Sequence, residues 1–167
     1  MPLILRKIRK SKWYKHANVG WLPDGEVQAD ALGDLKTEEN ALSVWWLDDN
    51  KSNLNDLVAA LASKCDTVAN LDYALLDIDI LSSLGIKLVE TDGDSLHRDA
   101  NDSWHRDLVE LSASKLLALA SAIASSGETK RIYPNVIIPL IASSVKAGQI
   151  DKDKLQAKVR TKIESFL

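Results

Sequence analysis

Two identical tripeptides, His97-Arg98-Asp99 and His105-Arg106-Asp107, stand eight residues apart and hold two of the chain's three histidines. A histidine beside an aspartate can orient a general base or supply ligands to a divalent metal. His97, Asp99, His105 and Asp107 are therefore the candidate catalytic residues. Asp77 and Asp79 follow an apolar run, and acids at strand ends hold Mg²⁺ in phosphoryl-transfer enzymes. With His97 and His105 they make the candidate metal set. Against this, a spacing of eight on one helix turns two side chains about 80° apart. Asp107 in a first helical turn also suits the helix dipole with no chemistry implied, and Asp77 and Asp79 suit the cap of a short helix. His-Arg-Asp occurs in kinase catalytic loops, but the glycine-rich loop and Asp-Phe-Gly that accompany it there are missing from this sequence. Ser112-Ala113-Ser114-Lys115 and Ser143-Ser144-Val145-Lys146 both match a Ser-x-x-Lys acyl-enzyme pattern without its companion motifs. All seven glycines are isolated, so no glycine-rich phosphate loop exists and no cofactor is implied.

The second candidate chemistry is electrostatic. Residues 1–23 contain six basic residues and no acid; residues 24–110 contain six basic and twenty acidic residues, a net of −14; residues 111–167 contain nine basic and four acidic residues, a net of +5. The overall charge of −3 hides this basic–acidic–basic order. Arg6, Lys7, Arg9, Lys10, Lys12 and Lys15 interleave with Trp13, Tyr14 and His16. Cations among aromatics suit single-stranded nucleic acid, which needs phosphate neutralisation and base stacking. The seven candidate contacts are Arg6, Lys7, Arg9, Lys10, Lys12, Trp13 and Lys15. The competing reading is an edge strand whose lysines discourage pairing, with Trp13 in the core and the acidic middle as its counter-charge.

The elements that must position these groups follow from periodicity. Residues 41–47 and 69–77 are short runs apolar on both faces, as in interior strands, and 86–90 forms a third strand. Between the first two, Leu54, Leu57, Val58 and Leu61 have the spacing of a buried helix face over 53–65. Strand–helix–strand of this length predicts a right-handed parallel crossover. Further helices are predicted over 27–35, 78–84, 104–125 and 133–148, with Pro139 kinking or restarting the last of these. A final helix capped by Asp151 carries the stripe Leu155, Val159, Ile163 and Phe166. The expected fold is α+β: a small mixed sheet with packed helices and a helical C-terminal third. It forms a single domain, 1–167, divided into a basic arm (1–23), an α/β body (24–127) and C-terminal helices (128–167).

Cys65 is the one cysteine, which excludes an intramolecular disulfide and a cysteine-based zinc cluster. No apolar stretch has the length of a membrane span, and the N-terminus lacks the order of a secretory signal. A soluble, cytoplasmic protein is expected. The sequence reads as a non-enzymatic interaction or accessory protein, whose partner is another protein or a second copy of itself. The alternatives are a nucleic-acid-binding protein using the basic arm and the C-terminal helix, and a metal-dependent enzyme using the His-Arg-Asp pair.

Overall fold

The computed structural model describes residues 2–14, 20–24 and 26–167. Six strands form one sheet: β1 (Leu3–Ile8), β2 (Leu42–Leu47), β3 (Leu71–Asp77), β4 (Lys87–Glu90), β5 (His105–Val109) and β6 (Glu128–Ile132). Among the described residues seven α-helices surround it: α1 (Lys10–Tyr14), α2 (Ala29–Leu32), α3 (Leu54–Ser63), α4 (Ile78–Ser83), α5 (Ala113–Ser126), α6 (Pro134–Lys146) and α7 (Ala157–Ile163). The fold is α+β. Strand order is β4-β5-β2-β1-β3-β6, and every ladder is antiparallel. The parallel contact expected in a mixed sheet is not made. β2 and β3 do run in the same direction, with α3 between them in sequence, but β1 is inserted antiparallel between the two. The strand that separates them comes from the basic N-terminal segment.

Side chains alternate across a strand, and here both faces are covered. Leu5, Trp45, Leu47, Tyr73 and Leu75 face a layer built from α3, α6 and α7. Ile4, Ile8, Leu42, Val44, Ala74, Leu76 and Leu108 face a second layer, with Trp13 of α1, Ala31 of α2, Leu81 of α4, and Leu119 and Ile123 of α5. Burial on both faces is why β2 and β3 read as apolar runs, interrupted only by Ser43, Asp72 and the terminal Asp77, rather than as alternating ones. Left-handed glycines end two helices: Gly85 at φ +62° after α4, where Ile86 N–H donates to the Leu81 carbonyl, and Gly148 at φ +72° after α6.

The helix predicted over 104–125 is divided. A π-turn at Ala100–Trp104 leads into β5, Glu110 turns the chain at φ +56°, and α5 starts only at Ala113. Ser112 Oγ accepts from Lys115 N–H at 3.3 Å, so this Ser-x-x-Lys is a helix cap. Residues 128–132, predicted to lead into the C-terminal helices, form β6 instead, on the open side of β3. α6 runs through Pro139 without a restart. Asp151 caps a short 3-10 turn (Lys152–Lys154), and α7 begins after Gln156. Among the described residues no helix is long and apolar enough to cross a membrane.

Leu155, Val159 and Ile163 of the predicted stripe are buried against this chain's own α3–α6 layer, while Phe166 remains 46% exposed. Val159→Asp would place an unpaired charge in that layer, a change that costs about 3–5 kcal/mol when uncompensated. The expected result is a lower denaturant midpoint with unchanged mass in light scattering. A fall in mass at unchanged stability would instead assign the stripe to an interface between copies.

Candidate functional site

The basic segment is part of the frame. All six residues of β1 pair with β3, from Leu3↔Asp77 to Ile8↔Asp72. On its other side β1 pairs with β2 only at Leu3↔Leu47, Ile4↔Trp46 and Leu5↔Trp45. Beyond Leu5 the two strands part, while β2 stays with β5 down to Leu42↔Leu108. The sheet therefore opens between its two central strands.

Arg6 spans the opening. Its Nη1 donates to the Ser43 carbonyl at 2.6 Å, and its Nε and Nη2 donate to the Asp34 carbonyl at 3.1 and 2.7 Å. Burial holds the Arg6 guanidinium below the ordinary arginine range, partly offset by the Asp34 carboxylate. That carboxylate, itself buried, gathers the segment that follows. Asp34 Oδ2 accepts from Arg9 N–H at 2.6 Å and from the Trp13 indole N–H at 3.0 Å, and Oδ1 lies 3.3 Å from Lys12 Nζ. Leu35, fully buried next to it, fixes the turn that presents it.

Asp72 does the same on the other side of β1. It accepts from Lys10 N–H at 2.8 Å and receives a two-pronged bond from Arg131 of β6 at 2.7 and 2.9 Å. The Arg131 bond, opposed by burial, holds the Asp72 carboxyl below its usual range and raises Arg131 in turn. The acidic middle of the chain thus binds both basic ends through two carboxylates.

These facts sort the seven candidate contacts. Trp13 is 5% exposed with its indole committed to Asp34, so it cannot stack on a base. Lys12 is paired, and the Lys10 main chain is tied to Asp72. Lys7 and Arg9 are exposed, and no carboxylate among the described residues lies within ion-pair distance of either side chain. Lys15 lies outside the described residues, as does His16. At the other end of the chain, Lys162 Nζ reaches the Val68 carbonyl at 3.5 Å, and Lys7 Nζ reaches Cys65 Sγ at 3.7 Å. The two basic ends therefore meet at one turn, residues 64–70.

The two His-Arg-Asp segments serve different structures. His97 lies in a loop and is 0% exposed. Its main chain bridges to Ile150, its Nδ1 accepts from Ala100 N–H at 3.3 Å, and its proton therefore sits on Nε2. That Nε2 lies 3.6 Å from Asp56 Oδ1 and has no hydrogen-bond partner among the described residues. His105 is on β5, edge-on to Trp45 at 4.9 Å, with Nδ1 against Thr91 Oγ1 at 2.9 Å. Asp99 accepts from Gln149 Nε2 at 2.7 Å, and Asp107 lies beside Glu38, Glu39 and Ser43 in a separate depression. Asp77 caps α4, accepting from Asp79 N–H at 2.9 Å, and Asp79 is exposed. Among the described residues no group of three or more His, Cys, Asp or Glu side chains could hold a metal ion. Sequence reasoning missed Asp34 and the opening it borders; the available signal was an acid following Gly33 within a segment read as helix.

Comparison with protein-family models, curated proteins and solved structures finds no match to this chain. Two measurements test the roles assigned above. Asp34→Ala strands the indole N–H of the buried Trp13, worth about 1–3 kcal/mol when left unpaired, whereas the exposed Arg9 N–H can turn to water. The expected loss is about 1–3 kcal/mol in urea unfolding, with part recovered in Asp34→Asn. His97 is held below the usual imidazole value by burial, against the opposing pull of Asp56 and then Asp99. Its folded-state value is depressed, so its contribution is full above the unfolded value of about 6.5 and is lost as pH falls below it. The denaturation midpoint should fall as pH drops below about 6.5, and this slope should flatten in His97→Leu.

Proposed function

We propose that this is a non-catalytic binding protein whose partner is a single strand of nucleic acid, gripped through its phosphates. The observation that carries this reading is the meeting of the two basic ends at residues 64–70, with Lys7 and Lys162 reaching the same turn. Lys7 and Arg9 are exposed cations without carboxylate partners among the described residues. The commitment of Trp13 to Asp34 argues for phosphate contact rather than stacking. Such binding is insensitive to sequence and strongly dependent on salt. Of the candidate catalytic set, Asp99 accepts from Gln149, His105 stands against Thr91 and His97 is wholly buried, and Asp77 of the metal set caps a helix. A reducing cytoplasm, where one free thiol persists, fits the same reading.

The test is fluorescence anisotropy with a short labelled oligodeoxythymidylate at several salt concentrations. Log affinity should fall with log salt by about 0.7 per phosphate contact. Lys7→Gln/Arg9→Gln should reduce that slope by about 1.4, the share of two contacts. No binding at low salt, or an unaltered slope in the double variant, overturns the reading.

A further inference from the structure

We infer that the opening between β1 and β2 is a seat for a terminal phosphate group, a phosphomonoester at the end of a strand; this rests on the reading above and adds what the strand end does. The cavity there has a volume of about 380 Å³, near the lower end of the roughly 300–1,000 Å³ range of small-molecule sites. It lies where the β1–β2 ladder stops, so the Leu5–Trp45 pair closes it along the strand direction. A backbone phosphodiester, continued on both sides, is bulkier at such a gap than a chain end, which is continued on one. A chain end or a small ion can enter it.

The charge fits a dianion. The lining includes Arg6, Lys7 and Arg9 against the single carboxylate of Asp34, three positive groups to one negative, a net of +2. A phosphomonoester carries about −1.5 to −2 at pH 7. Successive residues of a strand point to opposite faces, so Arg6 and Lys7 approach the gap from its two sides. Arg6 is also held in advance. Three of the five guanidinium N–H groups are used, all on main-chain carbonyls, which fix the fork without neutralising its charge. The remaining two N–H groups are donors on a half-buried cation, and charge-assisted bonds from arginine to phosphate are among the strongest in proteins. Asp34 does not compete for these groups, because its carboxylate is occupied by Arg9 N–H, Trp13 and Lys12.

The experiment uses the full chain and two probes. Inorganic phosphate, titrated at constant ionic strength against chloride, should give saturable amide shifts at residues 6–9, 33–34 and 43–45. Oligodeoxythymidylate with a terminal phosphate should bind about tenfold more tightly than the same strand with hydroxyl ends, the effect of one or two charge-assisted bonds. Arg6→Lys keeps the charge and loses the fork, but it also disturbs the sheet, so Arg9→Gln is the second variant; in it the tenfold preference should disappear while the fold is retained. Equal affinity for both strand ends overturns the seat and leaves strand binding standing. Saturable phosphate shifts without oligonucleotide binding keep the seat and remove the nucleic-acid reading. Absence of saturable shifts, or a preference that survives Arg9→Gln, overturns the proposal.

Discussion

One carboxylate decides how this molecule is put together. The N-terminal segment has five cations between Arg6 and Lys12 and no acid of its own, yet its strand occupies the middle of the sheet, where charge is expensive. It can do so because Asp34 accepts from the Arg9 main chain and the Trp13 indole and lies beside Lys12, while its carbonyl takes two N–H groups of Arg6. A buried carboxylate is tolerable only when its lone pairs are used, and here several donors from one five-residue helix and its approach use them. Asp72 repeats the device on the other flank and ties in β6 through Arg131. The central strand is thereby fixed on both sides by acids from the part of the chain that carries the excess negative charge.

What was legible in the sequence was whatever depends on local period and punctuation. β2, α3, β3, α4 and β4 lie within a few residues of their expected bounds because each is a compact, largely apolar pattern bounded by polar residues or glycine. β5 was hidden because Trp104-His105-Arg106-Asp107-Leu108-Val109 abuts a genuine helical pattern, and nothing local says that the first half pairs with β2 and β4. β6, Glu-Thr-Lys-Arg-Ile, has one apolar residue; it is a strand because Arg131 and Ile132 find Asp72 and Leu71 across the ladder. The insertion of β1 between β2 and β3 is non-local in the same way. Local rules place strand and helix; they do not say which strand a basic segment will separate.

The candidate site shows the same division. His97 and His105 share their neighbours in sequence and almost nothing in space: one imidazole accepts from the backbone inside a loop, the other stands against a tryptophan in a strand. Residue type and spacing were correct descriptions of the sequence and weak guides to chemistry, because side chains this polar, once buried, are recruited first to satisfy main-chain groups. Trp13 is the parallel case among the cations. Its indole N–H needed a partner once its ring was in the core, and Asp34 supplied it.

An open seam in the middle of a sheet is a costly arrangement, since main-chain groups there lose their ladder partners and must find others. The outer edges show how this chain deals with exposed strand surface elsewhere: β4 and β6 have four and five residues, and their exposed positions include Lys87, Glu90, Lys130 and Arg131. Short, charged edges discourage addition of a further strand. In the seam the same problem is met by a guanidinium, which satisfies the Ser43 and Asp34 carbonyls and leaves a positive charge behind. An asparagine or glutamine amide has two N–H donors and a shorter reach, where Arg6 places three N–H groups on two carbonyls. The bond geometry that closes the seam and the cation left in it, flanked by Lys7 and Arg9, therefore come from one and the same side chain.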